Sequence, residues 1–177
     1  MRITCLCVLT TPIGPLSIRR GPSCRRGNWM SDFSETCRAR SVRSLVVFGD
    51  SITLGMAASA PERRWADLLA ALIGAPILRN QGRSGTVMQS SPLADGLPRL
   101  GNGISRYREA LLGENRSDAV AILYGYNDAR YTAAPATFGP GGFVRDYRLV
   151  IEGMLAGGYV SDALCLGSPP CISRSRH

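Results

Sequence analysis

Three residues of the kind that carry out acyl transfer follow three apolar segments of the chain. Ser51 comes directly after the apolar run 45–48. Gly82 lies in a turn after a second, shorter run, and Asn127 follows the strongest apolar run of the chain. Acyl transfer needs an exposed nucleophile, hydrogen-bond donors for the developing oxyanion, and a base that takes the proton of the nucleophile. A serine, a glycine N–H and a neutral asparagine amide supply the first two requirements.

Each of these residues also has a purely structural explanation. A serine or aspartate before a helix is a common N-cap, glycine is common in turns, and Asn-Asp after a strand is a common turn. The joint occurrence at three successive strand ends is what favours chemistry. If a helix starts at Ser51, its N-terminus would also present backbone N–H groups to negative charge.

The elements that must position these residues alternate along the chain. From Ser44 onwards, short apolar runs alternate with longer amphipathic stretches, which predicts βαβ units and a parallel sheet. The predicted strands are 45–48, 76–79, 119–124 and 163–166, and the predicted helices are 64–72, 107–112 and 143–155. Sites in such sheets form at the carboxyl ends of the strands, where the three candidate residues are expected to meet.

Three segments of the chain carry a family resemblance. Residues 47–53 (VFGDSIT) resemble the first block of the SGNH or GDSL hydrolases, 80–82 (NQG) resembles the glycine block, and 125–128 (GYND) resembles the Gly-x-Asn-Asp block. The blocks occur in the family's order within residues 44–170. The absence of a Gly-x-Ser-x-Gly elbow argues against the α/β-hydrolase fold.

The resemblance implies a fold and a set of roles. The fold would be a three-layer α/β/α domain with a flavodoxin-like parallel sheet, lacking its last strand and helix. Ser51 would be the nucleophile and an oxyanion donor through its N–H. Gly82 would be the second donor through its N–H, and Asn127 the third through its side chain.

The sequence departs from the family at the last block, Asp-x-x-His. The single histidine is His177, the last residue, and Arg174 stands where the aspartate is expected. His177 is therefore a weak candidate for the base. We expect the domain 44–170 to be incomplete at its C-terminal end, with 171–177 as a foreign tail that a truncation or a change of reading frame would explain.

Two functions follow from these observations. The first is a serine esterase of small ester substrates, with carbohydrate acetyl esters as one candidate class. It would be inactive as written if no group replaces the missing base, because loss of the histidine removes several powers of ten in rate. The alternative is a non-catalytic binding module, or truncated pseudoenzyme, that keeps the fold. No cofactor or metal is expected, since neither nucleotide-binding motifs nor clusters with ligand spacing occur.

The charge distribution argues against nucleic acid as a partner. The net charge is +8, but residues 1–43 hold eight Arg against two acids, whereas 44–172 hold eleven Arg against eleven acids. A neutral body with basic ends does not predict a nucleic-acid groove, although the Arg-rich head leaves binding to acidic surfaces as a weaker idea. No stretch of eighteen apolar residues occurs, so no membrane association is expected.

The first 43 residues are expected to lie outside the domain. They contain four of the six cysteines, and we interpret them as an Arg- and Cys-rich extension. Residues 1–29 would be disordered or the product of a misplaced start, with Met30 as the beginning. The apolar run 3–18 faintly resembles a signal peptide, but Pro12 and Pro15 interrupt it and arginines follow it. The sequence thus favours a cytoplasmic over a secreted location.

Overall fold

The computed structural model of the chain describes residues 4–9, 17–19, 29–90, 101–130 and 139–168. The six strands are β1 (Thr4–Leu9), β2 (Ser17–Arg19), β3 (Ser44–Gly49), β4 (Ile77–Gly82), β5 (Ala119–Leu123) and β6 (Leu164–Ser168). The six α-helices are α1 (Trp29–Ala39), α2 (Ser51–Leu54), α3 (Trp65–Ile73), α4 (Gly103–Leu111), α5 (Tyr126–Arg130) and α6 (Pro140–Ala156). Within these residues, no helix has both the length and the apolar character needed to cross a membrane.

The strands form one sheet in the order β2-β1-β6-β5-β3-β4. The four strands expected from the sequence, β3 to β6, are parallel. Their spatial order places the second parallel strand outside the first and the third and fourth on its other side, which is the flavodoxin-like arrangement. The predicted α/β class and parallel sheet are therefore confirmed.

The expectation of four strands was incomplete. The structure adds β1, which pairs antiparallel with β6, and β2, which pairs antiparallel with β1. Both come from the segment expected to lie outside the domain. Short strands without a following crossover helix leave no alternating signature in the sequence, so periodicity alone did not predict them.

Helices cover both faces of the sheet, which produces the three layers. On one face, Val46, Phe48 and Ile122 contribute to a core that includes buried residues of α4 and α6. On the other face, Leu45 and Val47 contribute to a core with buried residues of α1 and α3. Because successive residues of a strand point to opposite faces, a continuous apolar run such as 45–48 is what a sheet covered on both sides requires.

Residues 29–43 belong to the fold, in contrast to the expectation that the domain begins at residue 44. Phe33 and Cys37 of α1 and Val42 after it are buried in the same core as α3. Arg38 Nη2 also donates to the carbonyl oxygen of Leu72 at 2.7 Å. The arginines of this segment give it a polar composition, and the apolar face of its helix consists of only a few residues, so the sequence signal for the helix is weak.

Two cysteines lie in the packed part of the chain. Cys37 and Cys165 are both buried. Burial raises the pKa of the Cys37 thiol to about 11, so this side chain packs as a small neutral group at physiological pH.

Candidate active site

Ser51 lies at the abrupt change from strand β3 to helix α2. The chain leaves the sheet at Gly49, and Asp50 caps the helix by accepting a hydrogen bond from the Ile52 N–H at 2.9 Å. A side chain at Gly49 would collide with Thr53 Oγ1 and the carbonyl oxygen of Leu123, so glycine is needed for this close turn. Ser51, the first residue of the helix, is half-buried at the carboxyl end of the sheet.

The helix that begins at Ser51 offers less stabilisation to negative charge than the sequence led us to expect. Helix α2 has only four residues, so its dipole is much smaller than that of a long helix. The first-turn N–H of Ile52 is already bonded to Asp50. Within the described part of the chain, no hydrogen bond involves the hydroxyl of Ser51, so no base contacts it there.

Gly82 ends strand β4 beside the turn that carries Ser51. The register pairs Gly82 with Gly49. The Gly82 N–H donates to Asn80 Oδ1 at 2.9 Å, and Asn80 Nδ2 donates to the carbonyl oxygen of Thr53 at 2.8 Å. A Cβ at Gly82 would also collide with the backbone of Leu54. The structure thus gives Gly82 a packing reason to be glycine, and an oxyanion would have to share its N–H with Asn80.

The turn after β4 connects this region to the end of β5. Arg83 N donates to the carbonyl oxygen of Gly49 at 3.0 Å, and Thr86 Oγ1 donates to the carbonyl oxygen of Arg83 at 2.8 Å. Gly85 lies between them with a φ of 74°, in the left-handed region that favours glycine. These contacts hold the turn against the strand that leads to Ser51.

Asn127 lies in the short helix α5 that follows β5. Its side chain is buried, and Nδ2 donates to the carbonyl oxygen of Thr86 at 2.8 Å. A primary amide has two hydrogens on Nδ2, so this bond leaves the second one for another acceptor. The bond connects the segment after β5 to the turn after β4, and so brings two of the three predicted site segments together.

Asp128, which the sequence presents only as part of the segment 125–128, is a further candidate for a role at this site. Its carboxylate is buried and accepts hydrogen bonds from Met88 N at 3.0 Å, Gln89 N at 3.3 Å and Gln89 Nε2 at 3.1 Å. Burial raises the pKa of Asp128 despite these bonds. The side chain holds the segment 88–89 through hydrogen bonds between residues far apart in the chain, which no local sequence pattern reveals.

The half-buried side chain of Arg106 lies near the carboxyl ends of β4 and β5. Arg106 Nη2 donates to the carbonyl oxygen of Gln81 at 2.7 Å, and Nη1 donates to the hydroxyl oxygen of Tyr124 at 3.2 Å. Its guanidinium lies 5.0 Å from the centre of the Phe48 ring. Burial lowers the pKa of Arg106 and raises the pKa of Tyr124 to about 12. Tyr124 is therefore protonated at neutral pH and does not supply a base.

The structure does not test the candidate base. His177, the weak candidate base, lies outside the described residues, as does Arg174. Where the chain is described, no group of three or more His, Cys, Asp or Glu residues has the arrangement of a metal site.

Comparisons with known proteins bear on the family and the fold of the chain. A family model described as the GDSL-like lipase/acylhydrolase family matches residues 47–167. A carbohydrate acetylesterase family member from Sinorhizobium meliloti is 19% identical, with a TM-score of 0.53, over 72% of this chain and 63% of that one. A proposed arylesterase from Agrobacterium tumefaciens strain C58 is 25% identical, with a TM-score of 0.51, over 70% of this chain and 61% of that one. The chain thus spans less than two-thirds of either structure. No curated protein matches it. Because the family model matches more than half of the chain, the protein belongs to the GDSL-like lipase/acylhydrolase family.

Proposed function

We propose that the chain is a serine esterase that hydrolyses small esters, with Ser51 as its nucleophile. The observation that carries the proposal is that the segments after β3, β4 and β5 meet at one edge of the sheet. Asn80 bonds to the carbonyl oxygen of Thr53, and Asn127 bonds to that of Thr86. These bonds hold the nucleophile turn, the glycine turn and the asparagine amide on one rigid frame.

The reaction follows from these groups. Ser51 Oγ attacks the ester carbonyl carbon while a base takes its proton, and the carbonyl oxygen becomes an oxyanion. The N–H of Ser51 and the second Nδ2 hydrogen of Asn127 donate to this oxygen, with a shared contribution from the Gly82 N–H. Collapse releases the alcohol, which takes up the proton, and leaves an acyl-serine that water hydrolyses to a carboxylic acid and free serine.

Small acetyl esters, including those of carbohydrates, are the substrate class that we propose to test first. The support is the likeness to a carbohydrate acetylesterase family member and to a proposed arylesterase. Neither likeness identifies the alcohol, so an aryl acetate and an acetylated sugar should be compared directly.

A second candidate function is binding without turnover. The observation that favours it is the Ser51 hydroxyl, which has no hydrogen-bonded base among the residues that the structure describes. In this case the same donors would hold a carbonyl or a carboxylate, and the acylation step would not proceed.

Hydrolysis of an aryl acetate by the full chain distinguishes the two functions. We expect Ser51→Ala to abolish activity, and Ser59→Ala, an exposed serine of the next loop, to leave it unchanged. His177→Ala tests the base, and a loss of about 10³-fold or more in kcat would assign that role to it. Equal background rates in the wild type and Ser51→Ala, together with no labelling of Ser51 by a fluorophosphonate, would contradict the esterase and favour the binding module.

A further inference from the structure

A cavity of about 480 Å³ lies at the amino end of the parallel strands. Its wall includes residues 40–43 before β3, 116–118 before β5, and 158–160 and Ala163 before β6. The candidate active site lies at the opposite, carboxyl end of the same strands. Five or six residues at about 3.3 Å each separate the two ends by about 16–20 Å. A molecule in this cavity would not contact Ser51.

The cavity has an excess of positive charge. Three guanidinium groups, those of Arg40, Arg43 and Arg116, line it, and Asp118 is the one carboxylate among the described residues of its wall. Asp118 Oδ2 already accepts from Arg43 N at 2.8 Å, Ser44 N at 2.9 Å and Ser44 Oγ at 3.0 Å. Through these three hydrogen bonds, the carboxylate holds the start of β3 in place. The Arg40 and Arg43 side chains form no salt bridge within the described residues, although the charge of Arg40 helps to lower the pKa of Asp118.

One of the arginines is held in place. Arg116 Nη2 donates to the carbonyl oxygen of Gly158 at 2.6 Å, and its guanidinium lies 5.3 Å from the centre of the Tyr159 ring. Tyr159 is in turn fixed, because its hydroxyl donates to the carbonyl oxygen of Leu111 at 2.8 Å and accepts from Ser117 N at 3.0 Å. A guanidinium ordered in advance loses less side-chain entropy when it binds an anion.

The backbone at the cavity is strained at Ser41. This residue follows helix α1 and has a φ of 53°, a conformation that glycine normally supplies at the end of a helix. Ser41 N donates to the carbonyl oxygen of Arg38 at 3.0 Å, and Val42 N donates to that of Cys37 at 3.0 Å. A serine at this position gives the cavity a hydroxyl group where glycine would be the more stable choice.

We propose that this cavity is a binding site for a small dianion of the phosphate monoester class. Its volume is within the range of about 300–1,000 Å³ typical of small-molecule sites. Planar guanidinium groups bind phosphate oxygens in pairs, and a phosphate monoester carries between one and two negative charges at neutral pH. The exposed hydroxyl of Ser41 is suited to the polar remainder of such a molecule. This site is independent of the esterase proposal.

Isothermal titration calorimetry of the full chain with glycerol 3-phosphate, at constant ionic strength, tests the proposal. We expect saturable binding with one site per chain. Arg40→Gln combined with Arg43→Gln should weaken binding roughly tenfold or more, because two charge-assisted contacts are lost. Both side chains are exposed, so the variant should fold. Asp118→Asn should strengthen binding, because it removes a negative charge from the wall of the cavity.

The matched control is Arg148→Gln together with Arg108→Gln. These exposed arginines lie on α6 and α4 outside the cavity, so the pair changes the net charge by the same amount. Equal weakening by both pairs would overturn the proposal, because the effect would then arise from net charge alone. Heats that never saturate in the wild type would overturn it as well. The esterase activity per folded molecule should be the same in all these variants. Failure of the binding proposal is therefore distinguishable from failure of the esterase proposal.

Discussion

Asn127 Nδ2 lies 2.8 Å from the carbonyl oxygen of Thr86, so the residue that follows β5 is tied to the turn that follows β4. Both residues are buried. The bond fixes the orientation of the amide, and a fixed donor stabilises a developing charge without the cost of reorganising during the reaction. One hydrogen bond thus supports both the local structure and the proposed chemistry.

Replacing Asn127 should therefore reduce catalysis more than stability. We expect Asn127→Ala to lower kcat for an aryl acetate about 10²–10³-fold, the usual cost of removing one oxyanion donor. The control is Asn115→Ala, because Asn115 Nδ2 also donates to a carbonyl oxygen, that of Glu109, at 2.8 Å but at an exposed position. An equal kcat in the two variants would show that Asn127 has only a structural role.

Gly82→Ala should destabilise the protein. The added methyl group would collide with the backbone of Thr53 and Leu54, and backbone atoms cannot rotate away as a side chain can. Overpacking of this kind costs about 1–3 kcal/mol in the free energy of unfolding. Gly141→Ala is the control, since a methyl group there meets nothing within 4 Å. Urea unfolding measures both, and a Gly82→Ala variant as stable as Gly141→Ala would disprove the close approach.

Asp128→Ala should loosen the segment 88–89. The substitution leaves the buried N–H groups of Met88 and Gln89 without their acceptor, and each unsatisfied group costs about 1–3 kcal/mol. Asp128→Asn keeps one acceptor oxygen and should cost less. Amide hydrogen exchange at residues 88 and 89 measures the effect. Protection that is unchanged in Asp128→Ala would show that the carboxylate does not hold this segment.

Asp118 should make stability depend on pH in the acid range. The hydrogen bond from Arg43 N is the main cause that lowers the pKa of Asp118, and the bonds from Ser44 act in the same direction. A carboxyl whose pKa is lower in the folded state contributes stability above its unfolded pKa of about 3.9 and loses it as the pH falls through the folded pKa.

The measurement is urea unfolding of the wild type and Asp118→Asn between about pH 2 and 7, bracketing the unfolded carboxyl pKa. The variant should be less stable at neutral pH, and the difference should shrink as the pH falls below about 4. Asp162→Asn, an exposed aspartate, provides the comparison. A difference from the wild type that stays constant over this range would contradict the proposed hydrogen bonding of the Asp118 carboxylate.

The outcome of the sequence predictions depended on the range of the interactions involved. Strand β5 was predicted at 119–124 and is observed at Ala119–Leu123, because a run of consecutive apolar residues is a local signal for a buried parallel strand. Helix α4 was predicted to begin at residue 107 but begins at Gly103. Its cap, Asn102, accepts from Ser105 N at 2.8 Å. A capping asparagine before a glycine and an isoleucine is a weak signal, and it was missed.

The sequence by itself determined the alternating strands and helices, the family, and the three segments that meet at the carboxyl edge. These features depend on residue type and on spacing within short windows. Only the tertiary structure decided that residues 29–43 pack into the core, that Asn80 accepts from the Gly82 N–H, and that Asp128 contacts Gln89. It also placed three arginines from separate segments around one cavity. Contacts between residues far apart in the chain depend on strand order and on burial, and neither leaves a periodic trace in the sequence.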